Sequence, residues 1–311
     1  MASALVAAAA TPWVACAQYA ATFEPTLYTS GAALVGQPTS VPFYLPPEPM
    51  TSNAFVIGAY AANPWQFSPQ PLGGSQFAMG KGPGAGMIGR AQRNLPLANW
   101  GCGTWTICYD MAVLPFTGLS PDIGSFSLEP AASKRFAQLF QPVGPTAGWN
   151  APIQAANAAG AGIVVTPSPD WTGLPFQAWH RLCVTINFPT RQITSASITN
   201  LWTGASDTEP LVGVYLRGGA AGTLPTPSAF RLTVGGSSPG NTIGFDNVSF
   251  TSVLCACYPD CTEDGHLTVA DFGCFQSRFV AGDPFADCNA DAGLTVADFG
   301  CFQTRFVAGC P

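Results

Sequence analysis

The sequence predicts a mainly β protein: an antiparallel β-sandwich followed by a small helical module. Three observations carry this. Glycine (34) and proline (29) punctuate a chain of 311 residues, and before residue 260 no long run shows helical periodicity. Short stretches instead alternate apolar and polar residues with a period of two, the mark of a strand with one buried face. Finally, residues 260–282 and 287–309 repeat one another without a gap, and each copy ends in a run of helical spacing.

The clearest strands are Thr104–Ala112, Phe136–Gln141, Gly162–Thr166, Trp179–Phe188, Gln192–Asn200, Leu211–Leu216, Phe230–Val234 and Ile243–Phe250. In Trp179–Phe188 the residues Leu182, Val184 and Ile186 alternate with Arg181, Cys183 and Thr185. In Thr104–Ala112, Trp105, Ile107 and Tyr109 alternate with Thr106, Cys108 and Asp110. One face is expected to be buried and one polar, as in an antiparallel sandwich. The length suits one large domain, 18–253, and one small one, 254–311.

Charge is scarce, at 9% of residues, and the net charge of −6 is localised. From Leu254 onward eight acidic residues face only Arg278 and Arg305, whereas the body is balanced. A neutral body without a basic stripe excludes a nucleic-acid partner. An acidic tail with ordered spacing points to cations.

Residues 1–17 are small and apolar and end in Ala15-Cys16-Ala17, a cleavage pattern that predicts a signal peptide, although no Lys or Arg precedes Lys81. No stretch reaches the ~20 apolar residues of a membrane span. Of eleven cysteines, ten remain once Cys16 leaves with the signal, an even number that suits disulfides outside the cell. Cys108 and Cys183 lie on the polar faces of their strands, which allows a cross-strand bridge. Seven cysteines crowd the tail, and their spacing follows the repeat rather than paired zinc knuckles.

The first copy of the repeat reads DCTEDGHLTVADFGCFQSRFVAG and the second DCNADAGLTVADFGCFQTRFVAG. Each opens with a twelve-residue loop that places oxygen-bearing groups at positions 1, 3, 5, 7, 9 and 12, the pattern by which an EF-hand loop surrounds Ca2+. These are Asp260, Thr262, Asp264, the carbonyl of His266, Thr268 and Asp271 in the first loop. In the second they are Asp287, Asn289, Asp291, the carbonyl of Gly293, Thr295 and Asp298. Two calcium sites are expected, with unequal strength. Thr262 is a weak ligand for position 3, and Ala292 stands where a glycine makes the sharp turn, worth about 1 kcal/mol if φ is positive there.

A helix follows each loop. Thr268-x-x-Asp271 and Thr295-x-x-Asp298 read as capping boxes with Asp in place of Glu. Phe272, Phe275 and Phe279 form one apolar face, and Gly282 and Gly309 stand where a helix stops. No helix precedes either loop, so each unit is half an EF-hand.

That pattern resembles the dockerin family over roughly the last 55 residues. The ADFGCFQ and RFVAG phrases are similar to the cysteine-containing dockerins of planctomycete-type bacteria. The resemblance implies a pseudo-twofold pair of helices around two Ca2+ ions, binding a cohesin or cohesin-like receptor. The family's receptor-facing positions fall here on Val269, Ala270, Val296 and Ala297, with Gln276, Arg278, Gln303 and Arg305 nearby. The Ser/Thr pairs of cellulosomal dockerins are absent, so the implied partner extends to receptors unlike standard cohesins. Within the module Cys261 is equivalent to Cys288 and Cys274 to Cys301, and a clasp of Cys257 to Cys310 is a further candidate. The connectivity stays open.

In the body, Trp179–Val184 followed by Gln192–Ile198 resembles the paired strands of laminin-G or concanavalin A-like sandwiches. Gly244-Phe245-Asp246-Asn247-Val248 resembles the closing strand of extracellular jelly rolls. That likeness implies a structural calcium near the strand, with Asp246 as candidate ligand. No catalytic residue is singled out. The E-x-D-x-E strand of sandwich glucanases is missing, Glu129 precedes Pro130, and Asp207 and Glu209 sit in a turn-like stretch. His180 is expected to be a packed or edge residue. Gly73–Gly89 fails the phosphate-loop pattern, since Gly82 follows Lys81. Trp65, Trp100, Trp149, Trp171 and Trp202 are candidates for a sugar platform, with the core as the commoner fate of each.

The expected protein is bacterial and extracellular or surface-held, a non-catalytic sandwich attached through its tail, with polysaccharide as the body's ligand. A dockerin-borne polysaccharide hydrolase or lyase is the first alternative. A structural matrix component is the second.

Overall fold

The computed structural model describes residues 16–63, 66–84, 86–95, 104–115, 123–129, 135–144, 147–222, 227–235, 241–253, 259–262, 267–288 and 293–308. Its strands are, in order, β1 (Cys16–Ala21), β2 (Thr51–Ser52), β3 (Phe55–Ala59), β4 (Gln76–Lys81), β5 (Ile88–Asn94), β6 (Thr104–Val113), β7 (Gly124–Glu129) and β8 (Phe136–Gly144). There follow β9 (Gly148–Asn150), β10 (Ile153–Ala156), β11 (Gly162–Val165), β12 (His180–Asn187), β13 (Gln192–Asn200), β14 (Ser206–Pro210), β15 (Ala229–Val234) and β16 (Thr242–Val253). Two helices close the chain, α1 (Val269–Val280) and α2 (Val296–Ala308). No described helix is long and apolar enough to cross a membrane.

The strands form two sheets. The first runs β14-β13-β12-β6-β16-β4-β3, with β1 also on β16, and the second β11-β10-β8-β7-β15-β5-β2, with β9 on β8. Among these strands pairing is antiparallel except where β2 meets β5. The protein is thus a mainly β antiparallel sandwich with two C-terminal helices. Its β1 starts at Cys16, inside the segment expected to be a leader, and pairs Cys16 with Ser252.

Period-two alternation explains the core. In β12, His180, Leu182, Val184 and Ile186 are buried, while the residues between them are partly exposed. Trp105, Tyr109, Phe126, Phe140, Phe230 and Phe245 meet between the sheets, and Tyr109 stacks on Phe126 with centroids 4.1 Å apart. Burying rings of this size supplies much of the driving force. A second cluster, including Tyr60, Phe67, Phe77 and Trp179, lies outside the first sheet.

Two expectations are corrected here. Leu211–Leu216 is not a strand: it is an irregular segment tied down by Tyr215 to Ala156 and Gln192. Its neighbour Ser206–Pro210 is the edge strand instead, so Asp207 and Glu209 lie in β14 rather than in a turn. The polar Ser-Asp-Thr-Glu-Pro run has no apolar face to betray a strand. Its strand pairing is with β13.

Candidate functional site

The tail carries the most ordered chemistry. Thr268 caps α1 as a capping box, its hydroxyl accepting from the Ala270 N–H while Asp271 Oδ2 accepts from the Thr268 N–H at 2.8 Å. Thr295 and Asp298 repeat this at α2, with the same 2.8 Å and 3.2 Å bonds. Both aspartates are fully buried. Asp271 also closes the loop on itself. Its Oδ1 accepts from the N–H of Thr262 at 3.0 Å and from its hydroxyl at 2.8 Å, and that hydroxyl lies 3.4 Å from Asp260 Oδ1. Loop positions 1, 3 and 12 therefore bring their oxygens together. Burial pushes the Asp271 carboxyl up, but the hydrogen bonds from Thr268 and Thr262 outweigh it and hold it below the usual carboxylate range.

The module is symmetric. Phe275 and Phe302, equivalent in the repeat, stack at 4.2 Å in its centre. Phe272 meets Phe302 edge-on at 5.2 Å, and the matching pair Phe299 and Phe275 meets at 5.1 Å. Cys261 is bridged to Cys274 and Cys288 to Cys301, with Cα separations of 5.7 and 5.8 Å. Each bridge ties loop position 2 to the exit helix within its own copy. Closing a loop of this length stabilises by about 3 kcal/mol. Gly282, at φ +71°, ends α1 with its N–H on the Phe279 carbonyl.

Asp264, His266, Asn289, Asp291, Cys257 and Cys310 lie outside the described residues. Asp287 and Gly293 are half-buried. Of the receptor-facing candidates, Val269 and Val296 are equally exposed, at 85% each, and Ala270, Ala297, Gln276 and Gln303 are exposed as well. Arg278 is engaged internally, 3.5 Å from Asp283 and over the ring of Phe285 at 4.4 Å. Arg305 donates to the Cys288 carbonyl at 3.1 Å.

In the body, Cys108 and Cys183 are bridged between β6 and β12. Asp110, expected on the polar face, is buried instead. It accepts from Arg181 Nε at 2.7 Å, Gln70 Nε2 at 2.7 Å and Asn247 Nδ2 at 2.8 Å. Asp246 stands beside it on a β-bulge of β16 in which Asn247 adopts φ +47°. Its carboxylate accepts from Tyr60 Oη at 3.0 Å and from the Asn247 N–H at 2.8 Å. Burial drives Asp246 well above the usual carboxylate range, with the charges of Asp110 and Glu24 adding to it against those two bonds. A Cβ on Gly74 would lie 2.8 Å from Glu24 Oε1 and 3.7 Å from Asp246 Oδ2, so both carboxylates border one point. Only Asp246 of this group stood out in the sequence. Glu24, Asp110 and Tyr60 come from distant segments that nothing but folding joins.

A cleft of about 360 Å³ opens at the β14 edge of the sandwich. Cross-strand pairing of His180 with Asn200 and of Ile198 with Asp207 places all four on the inner face of the first sheet. The opposite wall is the segment 168–175, which includes a short 3-10 turn, Pro169–Trp171. Asp207 Oδ2 joins the walls by accepting from Ser168 Oγ at 2.6 Å and Trp171 Nε1 at 3.0 Å. Gly148, at φ +97°, lets this wall approach, since a Cβ there would be 2.4 Å from the Leu174 carbonyl. Trp149 and Trp171 are core residues, and Trp202 is 53% exposed in the β13–β14 turn; Trp65 and Trp100 lie outside the described residues.

His180 is buried, meets Trp149 edge-on at 5.6 Å and has Nδ1 3.1 Å from the Ala178 carbonyl. Burial pushes its imidazole down to about 4, against the pull of that carbonyl. The neutral ring therefore donates from Nδ1 and keeps Nε2 as an acceptor. The unfolded chain binds the proton near 6.5 and the folded one only near 4. The body should thus be most stable above pH 6.5 and lose about 3 kcal/mol as pH falls to about 4. Urea unfolding of the native chain and His180→Gln at pH 7 and 4.5 checks this. A variant with the same acid loss would refute it.

No protein-family model matches the chain, and no curated protein matches it. Among solved structures, it is similar to peanut lectin with a nine-residue peptide, at 12% identity over 75% of this chain and 97% of the lectin, with a TM-score of 0.43. Lectin II from Ulex europaeus is 15% identical over 56% of this chain and 82% of its own, with a TM-score of 0.35. An alginate lyase from Alteromonas sp. 272 is 11% identical over 68% and 94%, with a TM-score of 0.32. At this distance the likeness concerns the layered β architecture alone.

Proposed function

We propose that this chain is an exported bacterial protein whose C-terminal module is a dockerin-like, calcium-dependent plug for a cohesin-like receptor, and whose sandwich body binds polysaccharide. The observation that carries the first half is the meeting of loop positions 1, 3 and 12 through Asp260, Thr262 and Asp271. An all-oxygen set of this kind suits Ca2+ and no softer metal. Asp260, Thr262, Asp264, the His266 carbonyl, Thr268 and Asp271 would hold one ion. Asp287, Asn289, Asp291, the Gly293 carbonyl, Thr295 and Asp298 would hold the other. Bound calcium would supply the charge that draws each loop into a ring.

The disulfides and Phe275–Phe302 stack support a module held ready for docking, since ordering the loops in advance lowers the entropy lost on binding. Val269, Ala270, Val296 and Ala297 form its apolar contact points, flanked by Gln276 and Gln303. Arg278 and Arg305 stiffen their own units and touch the receptor only at the rim. In the body, Asp246 would be a ligand of a further structural calcium, with Glu24 bordering the same point.

Titrating the whole protein with calcium should give heat for two tail sites, and a receptor from the native bacterium should be retained in calcium and released by chelator. Retention that ignores chelator counts against the proposal. A second reading has one specific observation behind it: Asp170 and Asp207 line one cleft, as the paired carboxylates of a glycosidase do. Release of reducing sugars from a polysaccharide panel would make that reading the correct one.

A further inference from the structure

The cleft beside β14 presents hydrogen-bonding capacity that the protein itself does not use. Asp207 Oδ1, His180 Nε2 and Asn200 Nδ2 have no partner among the described residues. Asn200 spends its Oδ1 on the N–H groups of Trp202 and Thr203, at 3.0 and 3.2 Å, and so fixes the turn that carries the exposed Trp202. The facing wall is equally fixed. Ser168 Oγ accepts from the Asp170 N–H at 3.2 Å, and Asn150 Oδ1 accepts from the Gly173 N–H at 3.0 Å. His180 is 98% buried by its 2% exposure, yet it lines the cleft.

We propose that this cleft binds a neutral, hydroxyl-rich oligosaccharide segment, with Asp207 Oδ1 and His180 Nε2 accepting from sugar hydroxyls, Asn200 Nδ2 donating, and Trp202 facing an adjoining ring. The inference rests on the body binding polysaccharide, and it names where and of which class. The volume falls within the ~300–1,000 Å³ range of ligand pockets. Acceptors outnumber donors, which fits a partner covered in O–H groups. Asp170 and Asp207 line the cleft and no Lys or Arg does among the described residues, so a uronate or sulfate group meets like charge and is rejected. An imidazole and an amide N–H among the converging groups make the same cleft a poor calcium site, since that ion takes oxygens. The indole of Trp202 offers the apolar face on which the C–H side of a sugar ring packs.

The test uses the full chain in affinity electrophoresis against soluble xylan, glucomannan, mixed-linkage β-glucan and galactan, with alginate and polygalacturonate as acidic counterparts. At least one neutral polymer should retard the protein and neither acidic polymer should. Trp202→Ala and Asp207→Asn should each weaken that retardation by about tenfold. Trp202 is exposed, so its variant reads binding even if Asp207→Asn lowers stability, which a thermal melt records. Retardation by a neutral polymer that both variants preserve overturns the site while leaving a polysaccharide-binding body. Binding confined to the acidic polymers overturns the neutral class. No retardation by any polymer overturns the site and the polysaccharide-binding body together.

Discussion

Replacing Asp271 and Asp298 together by alanine is expected to remove calcium binding from the tail and weaken the calcium-dependent partner by at least about a hundredfold. Each aspartate stands at loop position 12, and under the proposed function its carboxylate would be a ligand of the ion. Each also holds the N–H of the threonine that caps its helix. Losing that cap costs about 1 kcal/mol. The two losses separate experimentally. Circular dichroism reports the helices, equilibrium dialysis the bound calcium, and a chelator-controlled pull-down the partner. A double variant that still retains two calcium ions per chain removes the basis for the assignment.

Replacing Phe302 by alanine should destabilise the module by about 3–5 kcal/mol, the range for truncating a buried aromatic. Its ring stacks on Phe275 and touches Phe272, at the centre of a core whose other fully buried members are Cys261, Ala286 and Cys288. A core this small supplies no more than about 3–5 kcal/mol. The variant module should therefore be largely unfolded in chelator and refold only as calcium is added. Phe275→Ala should behave the same within about 1 kcal/mol, because the two rings are equivalent in geometry as well as sequence. Limited proteolysis of the full chain, with and without calcium, measures both. Markedly unequal losses would contradict the twofold arrangement.

Much of this architecture was legible in the chain. In Trp179–Phe188 apolar and polar residues alternate, and β12 buries every second one of them, so that strand follows from period alone. The capping boxes at Thr268 and Thr295 are local signals, complete within four residues, and they form as the spacing requires. Leu211–Leu216 misled because apolar content marks burial without specifying extended pairing. Leu211, Val214 and Leu216 are indeed buried, from an irregular segment. Asp110 misled for a related reason. Its polar side faces outward from the sandwich core, but Gln70, Arg181 and Asn247 cover it there.

By itself, then, the sequence determined what is local or duplicated: the period of the strands, the caps, and two matching loops 27 residues apart with the same spacing of oxygen-bearing residues. Tertiary structure alone decided which cysteines bridge within a copy, that Glu24 and Asp246 border one point, and that His180, Asn200 and Asp207 share a cleft with the segment 168–175. The physical reason is range. Helix caps and strand alternation are set by neighbours a few residues apart. A site on a sandwich is assembled by cross-strand pairing between segments whose mutual register the hydrophobic core selects as a whole.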